Sequence, residues 1–195
     1  DGVMYIAKKE NKEKIQQAIT EIEKLTKLTF ETDEFTAFYQ YAVNDYFGVT
    51  SKGLIEKKGM FGTEPVLGKG LAPAIIPKAI INYFVNNVPI KETIRNCIDI
   101  KDFLMTQRVN KKFSVEYNDK NIQRINRFYA STNGCYLYKH NNEGKYLNIL
   151  TKSGITILNK LDDIPISERN INYRYYETEA AKIIQDFKTV ELSLW

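Results

Sequence analysis

Apolar residues recur with a helical period near both ends of the chain. In residues 11–25 they are spaced by 4, 3 and 3 positions, at Ile15, Ile19, Ile22 and Leu25. This spacing predicts a helix that Asn11 can cap. In residues 173–187 the spacings are 3, 4, 3 and 4, at Tyr173, Tyr176, Ala180, Ile183 and Phe187. They predict a second helix, with Asn170 or Asn172 as its cap.

Between these helices, the first half of the chain has the composition of β-strands. Residues 35–50 are rich in Tyr, Phe and Val with partial alternation, which predicts one long strand or two. Ser51-Lys52-Gly53 predicts a hairpin turn, and residues 54–61 its returning strand. Short strands are also predicted at residues 3–7 and 28–31. The order β-α-β-β-β predicts a small antiparallel sheet with one covering helix.

Residues 62–72 contain the junction between the two predicted parts of the chain, because Gly62, Pro65, Gly68 and Gly70 interrupt the pattern there. Beyond it, Pro77 and Pro89 can each open a helix. Residues 99–109 fit either strand or loop. Asp119 is expected to cap a helix that turns Ile122, Ile125 and Tyr129 inward. Three short strands follow, at residues 136–139, 146–150 and 155–158. We therefore expect an α+β fold with domains at 1–68 and 69–195, the second mainly helical with a small β insertion.

Composition narrows the class of protein. The chain has 195 residues, of which 43% are hydrophobic and 27% charged, enough for one medium domain or two small ones. Its apolar runs are shorter than the ~20 residues of a membrane span, and residues 1–20 do not resemble a signal peptide. Two cysteines are too few for a disulfide framework. We expect a reduced, cytoplasmic protein without membrane contact.

Charge is distributed unevenly along the chain. Residues 1–50 contain 6 Lys/Arg and 9 Asp/Glu, whereas residues 51–130 contain 14 and 7. Residues 131–195 contain 8 of each. A basic middle beside an acidic start is typical of a protein that holds a polyanion near a metal or acidic site. Lys-rich solvated surfaces are the alternative explanation.

Motifs for nucleophilic catalysis and for nucleotide binding are missing from the sequence, since it contains neither Gly-x-Ser-x-Gly nor a P-loop nor a dinucleotide fingerprint. The single histidine, His140, lies in a polar segment and is predicted to be a solvated turn residue. Cys97 and Cys135 are predicted to be packing residues. Carboxylates and basic side chains remain as the candidate functional groups.

Several segments resemble, in order, the family B DNA polymerases of bacteriophage or prophage type. Asp1-Gly2-Val3-Met4-Tyr5 is similar to the end of the family's Asp-Thr-Asp-Gly/Ser hairpin. Residues 39–49 and 51–61 are similar to the strand pair that ends in a Lys-x-Lys-Gly turn, although Glu56 replaces the first Lys. Looser similarity covers residues 78–84, 88–94, 126–131 and 175–184. On this resemblance, residues 1–68 are the end of a polymerase palm, residues 69–195 are a thumb, and further residues precede Asp1.

The resemblance implies roles for particular residues. Asp1 would be the catalytic carboxylate here and one ligand of two Mg²⁺ ions about 4 Å apart. Lys57, Lys58 and Gly59 would contact primer–template DNA without reading its bases. The thumb would grip the product duplex through Lys111, Lys112, Arg124 and Arg127. The rest of the polymerase chain would supply the other metal ligands and bind dNTP, so we expect the isolated chain to be inactive.

Two other functions are compatible with the sequence. One is a non-catalytic DNA-binding or interaction module of a phage or mobile element, in which Asp1 has no role. The other is a small metal-dependent nuclease. The nuclease would require Asp33, Glu34 or Asp45 to converge with Asp1.

Overall fold

In the computed structural model, the residues described are 5, 8–62, 70–141, 143–144, 146–150 and 152–193. The chain forms two compact units, residues 1–35 and residues 36–195. The predicted strand at residues 3–7 lies outside the described residues except for Tyr5, which has no regular secondary structure.

The first unit contains helix α1, Lys12–Thr26, which confirms the predicted N-terminal helix. Asn11 precedes it, but the Asn11 side chain makes no capping hydrogen bond. The helix ends at Lys27, whose left-handed backbone allows its N–H to reach the Glu23 carbonyl. The predicted strand at 28–31 is wrong. There the backbone N–H of Phe30 donates to the Glu23 carboxylate at 2.8 Å rather than to a neighbouring strand.

The second unit begins with the predicted sheet. Strands β1 (Phe35–Ala42), β2 (Asp45–Thr50) and β3 (Ile55–Lys58) lie in that order. The segment 35–50 thus forms two strands, and residues 51–53 form the predicted turn. Strands β2 and β3 are antiparallel, with Tyr46 opposite Lys58 and Phe47 opposite Lys57. A 3-10 turn, Gly59–Gly62, ends the hairpin.

Three helices of the second unit also match the sequence pattern. Helix α2 (Ile75–Asn86) has Pro77 in its first turn, and Pro89 directly precedes α3 (Ile90–Arg95). Helix α4 (Tyr173–Ser193) begins where Asn172 Oδ1 accepts a hydrogen bond from the Tyr175 N–H at 3.2 Å. Asn172 is therefore the cap, one of the two residues proposed for that role.

Between α3 and α4 the chain folds as β-structure. A 3-10 turn, Ile100–Phe103, precedes seven strands: β4 (Met105–Arg108), β5 (Ser114–Tyr117), β6 (Lys120–Ile122), β7 (Ile125–Ser131), β8 (Leu137–His140), β9 (Tyr146–Asn148) and β10 (Gly154–Ile157). They form two antiparallel sheets, ordered β10-β7-β4 and β6-β5-β8-β9. The α+β class is confirmed, although the β part after residue 69 is larger than the small insertion that we expected.

The helix predicted after Asp119 is wrong. Asn118 and Asp119 have φ angles of 52° and 57°, as required at both central residues of a type I′ hairpin turn. The turn joins β5 to β6, so Asp119 reverses the chain where it was expected to cap a helix. Ile122, Ile125 and Tyr129 consequently lie on strands.

One hydrophobic core unites the first sheet with the helices of the second unit. Phe47 is fully buried, and its ring contacts those of Tyr39, Phe61, Phe84 and Phe187 at centroid distances of 4.9–6.1 Å. Residues on both sides of 63–69 thus share a core. The predicted boundary at residue 68 lies outside the described residues and stays a prediction.

None of the helices in the described part of the chain has the length and apolar character needed to cross a membrane.

Candidate nucleic-acid interface

The hairpin lysines, Lys57 and Lys58, end β3 and are both exposed. They lie on opposite faces of the sheet, because side chains alternate along a strand. Lys57 is opposite Phe47, whose side chain is buried in the core, and Lys58 is opposite Tyr46 on the other face. The two side chains therefore lie on different sides of the hairpin.

Lys58 belongs to an aromatic surface on its face of the sheet. Its Nζ lies 5.6 Å from the ring centroid of Tyr46, and the Tyr46 and Phe38 rings are 5.0 Å apart. Glu56 is opposite Gly48 and lies on the same face as Lys58. Glu56 occupies the position of the first lysine in the Lys-x-Lys-Gly pattern, so it adds a negative charge to this surface.

Gly59 is required by the hairpin itself. Its φ is +61°, and a Cβ on it would lie 2.1 Å from Asp45 Oδ1 and 2.2 Å from the Asn44 carbonyl oxygen. The same Asp45 oxygen accepts a hydrogen bond from the Met60 N–H at 2.7 Å. Close approach of DNA to Gly59 stays a prediction, since the fold already accounts for the glycine.

A second group of cations gathers where two connections between strands meet. Lys111 and Lys112 lie in the β4–β5 turn, and Arg124 lies in the β6–β7 connection. Arg124 Nη1 donates to the Lys111 carbonyl at 2.8 Å, and the Val109 N–H donates to the Arg124 carbonyl at 2.9 Å. The structure thus brings together three of the four thumb residues that the resemblance proposed. Arg124 lies on the β6–β7 connection and Arg127 on β7. The helix that was expected to contain both residues is absent there.

Lys139 joins this group, and the sequence analysis missed it. Its Nζ and that of Lys112 each lie 5.4 Å from the ring centroid of Phe113. Lys139 is on β8, which pairs with β5 directly after Phe113. No local signal marks Lys139, because its proximity depends on the pairing of these two strands.

A surface cleft lies beside the second cation group. Its volume is about 360 Å³, and it is lined by Gln123, Arg124, Ile125, Arg127 and Asn159. Asn159 Oδ1 accepts a hydrogen bond from the Arg127 N–H at 2.9 Å, and Arg127 Nη1 donates to the Asn159 carbonyl at 3.5 Å. The segment after β10 thereby closes one side of this cleft.

The described acidic residues that were considered for metal binding do not lie together as metal ligands. Asp1 lies outside the described residues. Among those that the structure describes, no three His, Cys, Asp or Glu side chains group closely enough to hold a metal ion. Asp45 holds the hairpin, and Glu34 forms an ion pair with Lys12. The described side chains therefore provide no group of three such ligands for Mg²⁺.

His140 is not the solvated turn residue that we predicted. It ends β8, its side chain is 16% exposed, and its Nε2 lies 3.4 Å from a Glu116 carboxylate oxygen. Cys97 lies beside an ion pair of buried Asp102 with half-exposed Lys78, where its Sγ donates to Asp102 Oδ2 at 3.3 Å. Both oxygens of Asp102 also accept hydrogen bonds from Lys78 Nζ, at 2.7 and 2.8 Å.

Comparison with known proteins identified no relative for this chain. No protein-family model, no curated protein and no solved structure matches it.

Proposed function

We propose that this chain is part of a bacteriophage-type family B DNA polymerase and that it holds the primer–template duplex. The observation that supports the proposal is the end of the β2–β3 hairpin. Two exposed lysines lead directly into Gly59, which must be glycine there. Lys58 and Gly59 match the Lys-x-Lys-Gly turn that the resemblance assigns to DNA contact, and Lys57 would take over the contact of the first lysine, which Glu56 replaces.

The hairpin suits contacts to the DNA backbone. Lysine ammonium groups neutralise phosphates without reading bases, as an enzyme that copies any sequence requires. Because Lys57 and Lys58 lie on opposite faces, each would contact a different phosphate, with the β3 edge between them. The ring pair of Phe38 and Tyr46 borders the Lys58 contact.

The complete enzyme would transfer a nucleotide from dNTP to a primer 3′-hydroxyl with two Mg²⁺ ions, in a bacterial or phage-infected cytoplasm. Asp1 would be one metal ligand, and the remainder of the polymerase chain would provide the others. We expect the isolated chain to bind duplex DNA weakly and to incorporate no nucleotide.

The proposal is tested by fluorescence anisotropy with a labelled recessed primer–template and a blunt duplex of equal length. Wild-type chain should prefer the recessed end. Lys57→Gln and Lys58→Gln should each weaken binding and reduce the slope of log affinity against log salt by about 1. Lys52→Gln is the matched control, because Lys52 lies in the turn at the opposite end of the same hairpin. Equal loss in all three variants would mean that the hairpin end has no special role.

A non-catalytic DNA-binding module is the second candidate. The observation that favours it is the cation group of Lys111, Lys112, Arg124 and Lys139, which lies on β8 and on connections between strands of sheets other than the one that contains the hairpin. Such a module would bind blunt and recessed duplexes equally and would not depend on Lys57 or Lys58. The same titration therefore distinguishes the two candidates.

A further inference from the structure

The cleft between the β6–β7 connection and Asn159 has the size and lining of a small anion-binding site. Its volume of about 360 Å³ falls within the range of small-molecule sites. Arg124 and Arg127 provide two guanidinium groups, Gln123 and Asn159 provide amides, and Ile125 provides an apolar surface that is 48% exposed.

The charge of the cleft is positive. All five of its lining residues are described, and none of them is acidic. Arg124 donates to the Lys111 carbonyl, a neutral acceptor, and within the described residues it forms no ion pair with a carboxylate. Among the described residues, no carboxylate is therefore paired with its positive charge at the cleft. Guanidinium groups bind phosphate oxygens through paired N–H donors, and two of them line the same cavity.

The walls of the cleft are fixed by hydrogen bonds within the protein. Asn126 is 2% exposed, and its amide donates to the Gln123 carbonyl at 2.5 Å and accepts from Asn159 Nδ2 at 3.1 Å. Asn159 in turn binds the backbone of Arg127. Gln123 Nε2 donates to the Ile125 carbonyl at 2.8 Å. A site held in place before its ligand arrives loses little conformational freedom on binding.

From this charge, size and rigidity we propose that the cleft binds a phosphoryl group, with the attached sugar or base resting on Ile125. The inference builds on the proposed function, because it assigns a specific phosphate site to the part of the chain expected to grip DNA. The phosphoryl group belongs either to a phosphodiester of nucleic acid or to a free nucleotide. The site recognises the chemistry common to both.

The test uses the full chain and a fluorescein-labelled single-stranded dodecamer in low salt. Arg124→Gln should weaken binding several-fold, and the double variant Arg124→Gln/Arg127→Gln about tenfold or more, since each variant removes charged hydrogen-bond donors to phosphate. Arg174→Gln is the control, an exposed cation on α4 outside the cleft lining, and should change the affinity less than twofold. A dodecamer with a neutral methylphosphonate backbone should bind wild-type chain at least as weakly as the charged dodecamer binds the double variant, because it also loses attraction to the other cations.

Competition with AMP separates the two sources of phosphate. Displacement of the dodecamer from wild-type chain by AMP assigns the site to free nucleotides as well. Binding of the dodecamer alone assigns it to the phosphodiester. Unchanged affinity in Arg124→Gln, or equal binding of the charged and neutral dodecamers, overturns the proposal. Arg124 is exposed, so its single variant gives this answer even if Arg127→Gln fails to fold.

Failure of this inference is distinguishable from failure of the polymerase proposal. If the Lys57 and Lys58 variants lose the preference for a recessed end while Arg124→Gln binds the dodecamer with unchanged affinity, the cleft is not a phosphate site and the polymerase proposal stands. If only the cleft variants lose affinity and no preference for recessed ends exists, the cleft binds phosphate in a non-catalytic module.

Discussion

Gly59 and Asp45 fit together so closely that no side chain could be added at Gly59: a Cβ there would lie 2.1 Å from Asp45 Oδ1. That oxygen also accepts a hydrogen bond from the N–H of Met60, the residue after Gly59. Asp45, at the start of β2, thus fixes the backbone at the end of β3. The position of the hairpin lysines depends on this contact.

Gly59→Ala should destabilise the protein by more than about 2 kcal/mol. The left-handed backbone alone costs about 1–2 kcal/mol for a residue with a Cβ, and the contacts with Asp45 and Asn44 add to that. Urea unfolding followed by circular dichroism measures the loss. Gly53→Ala is the control, because Gly53 has a φ of +78° but no atom within 4 Å of its Cβ position. Equal losses in the two variants would show that the Asp45 contact is unimportant.

Tyr176→Phe should cost about 2 kcal/mol or more of unfolding free energy. The Tyr176 hydroxyl is fully buried, accepts from the Ala130 N–H at 2.8 Å and donates to the Phe103 carbonyl at 2.9 Å. Its removal leaves two backbone groups buried without that partner, at about 1–3 kcal/mol each. Tyr175→Phe removes only a 3.8 Å contact with Met105 Sδ and should cost less than about 1 kcal/mol. A similar loss in both variants would contradict this account.

Cys97 should be slow to alkylate below pH 10. Burial raises the pKa of the Cys97 thiol to about 11, and its hydrogen bond to Asp102 acts in the same direction. Only the thiolate reacts, so in a Cys135→Ser variant the rate with iodoacetamide should rise about tenfold per pH unit between pH 8 and 10. Circular dichroism over the same range checks that the fold persists. A rate that levels off near pH 9 would contradict the buried environment.

Glu179 should contribute stability that disappears in acid. Burial alone would raise its pKa, but hydrogen bonds from Lys152 and Lys182 outweigh burial and lower it below the usual 4.5. A folded pKa below the unfolded one means that the contribution is complete above pH 4.5 and is lost as pH falls through the folded pKa. The stability difference between wild type and Glu179→Gln should therefore shrink below pH 4.5.

Titration of the Glu179 carboxyl carbon by NMR measures this pKa directly. In Lys152→Gln the pKa should move up toward 4.5, because one of the two hydrogen-bonding cations is gone. An unchanged pKa in that variant would assign the effect to Lys182 alone.

Much of the candidate site could be found in the sequence because its signals are local. The turn at 51–53 and the alternation on either side predict the β2–β3 hairpin. The resemblance to a Lys-x-Lys-Gly turn then points to Lys57, Lys58 and Gly59 within it. The opposite orientation of the two lysines also follows once β3 is known to be a strand. Arg124 and Arg127 were also proposed as DNA-binding residues, but the sequence placed them on a helix, whereas they lie on the β6–β7 connection and on β7.

The sequence by itself determined α1, the hairpin, α2, α3 and α4, because a helical period or a tight turn depends on residues only a few positions apart. The sequence also predicted strands where β8, β9 and β10 lie. Tertiary structure decided the fold of residues 105–131 and the pairing of the strands. Strand β7 pairs with β4 and β10, and Asn159 closes the cleft from 32 positions beyond Arg127. Such pairings depend on partners distant in the chain, so a stretch like 119–129 can satisfy a helical pattern and still become two strands. Tertiary packing overrides local preference there, because burial and interstrand hydrogen bonds together outweigh the small differences in helix propensity.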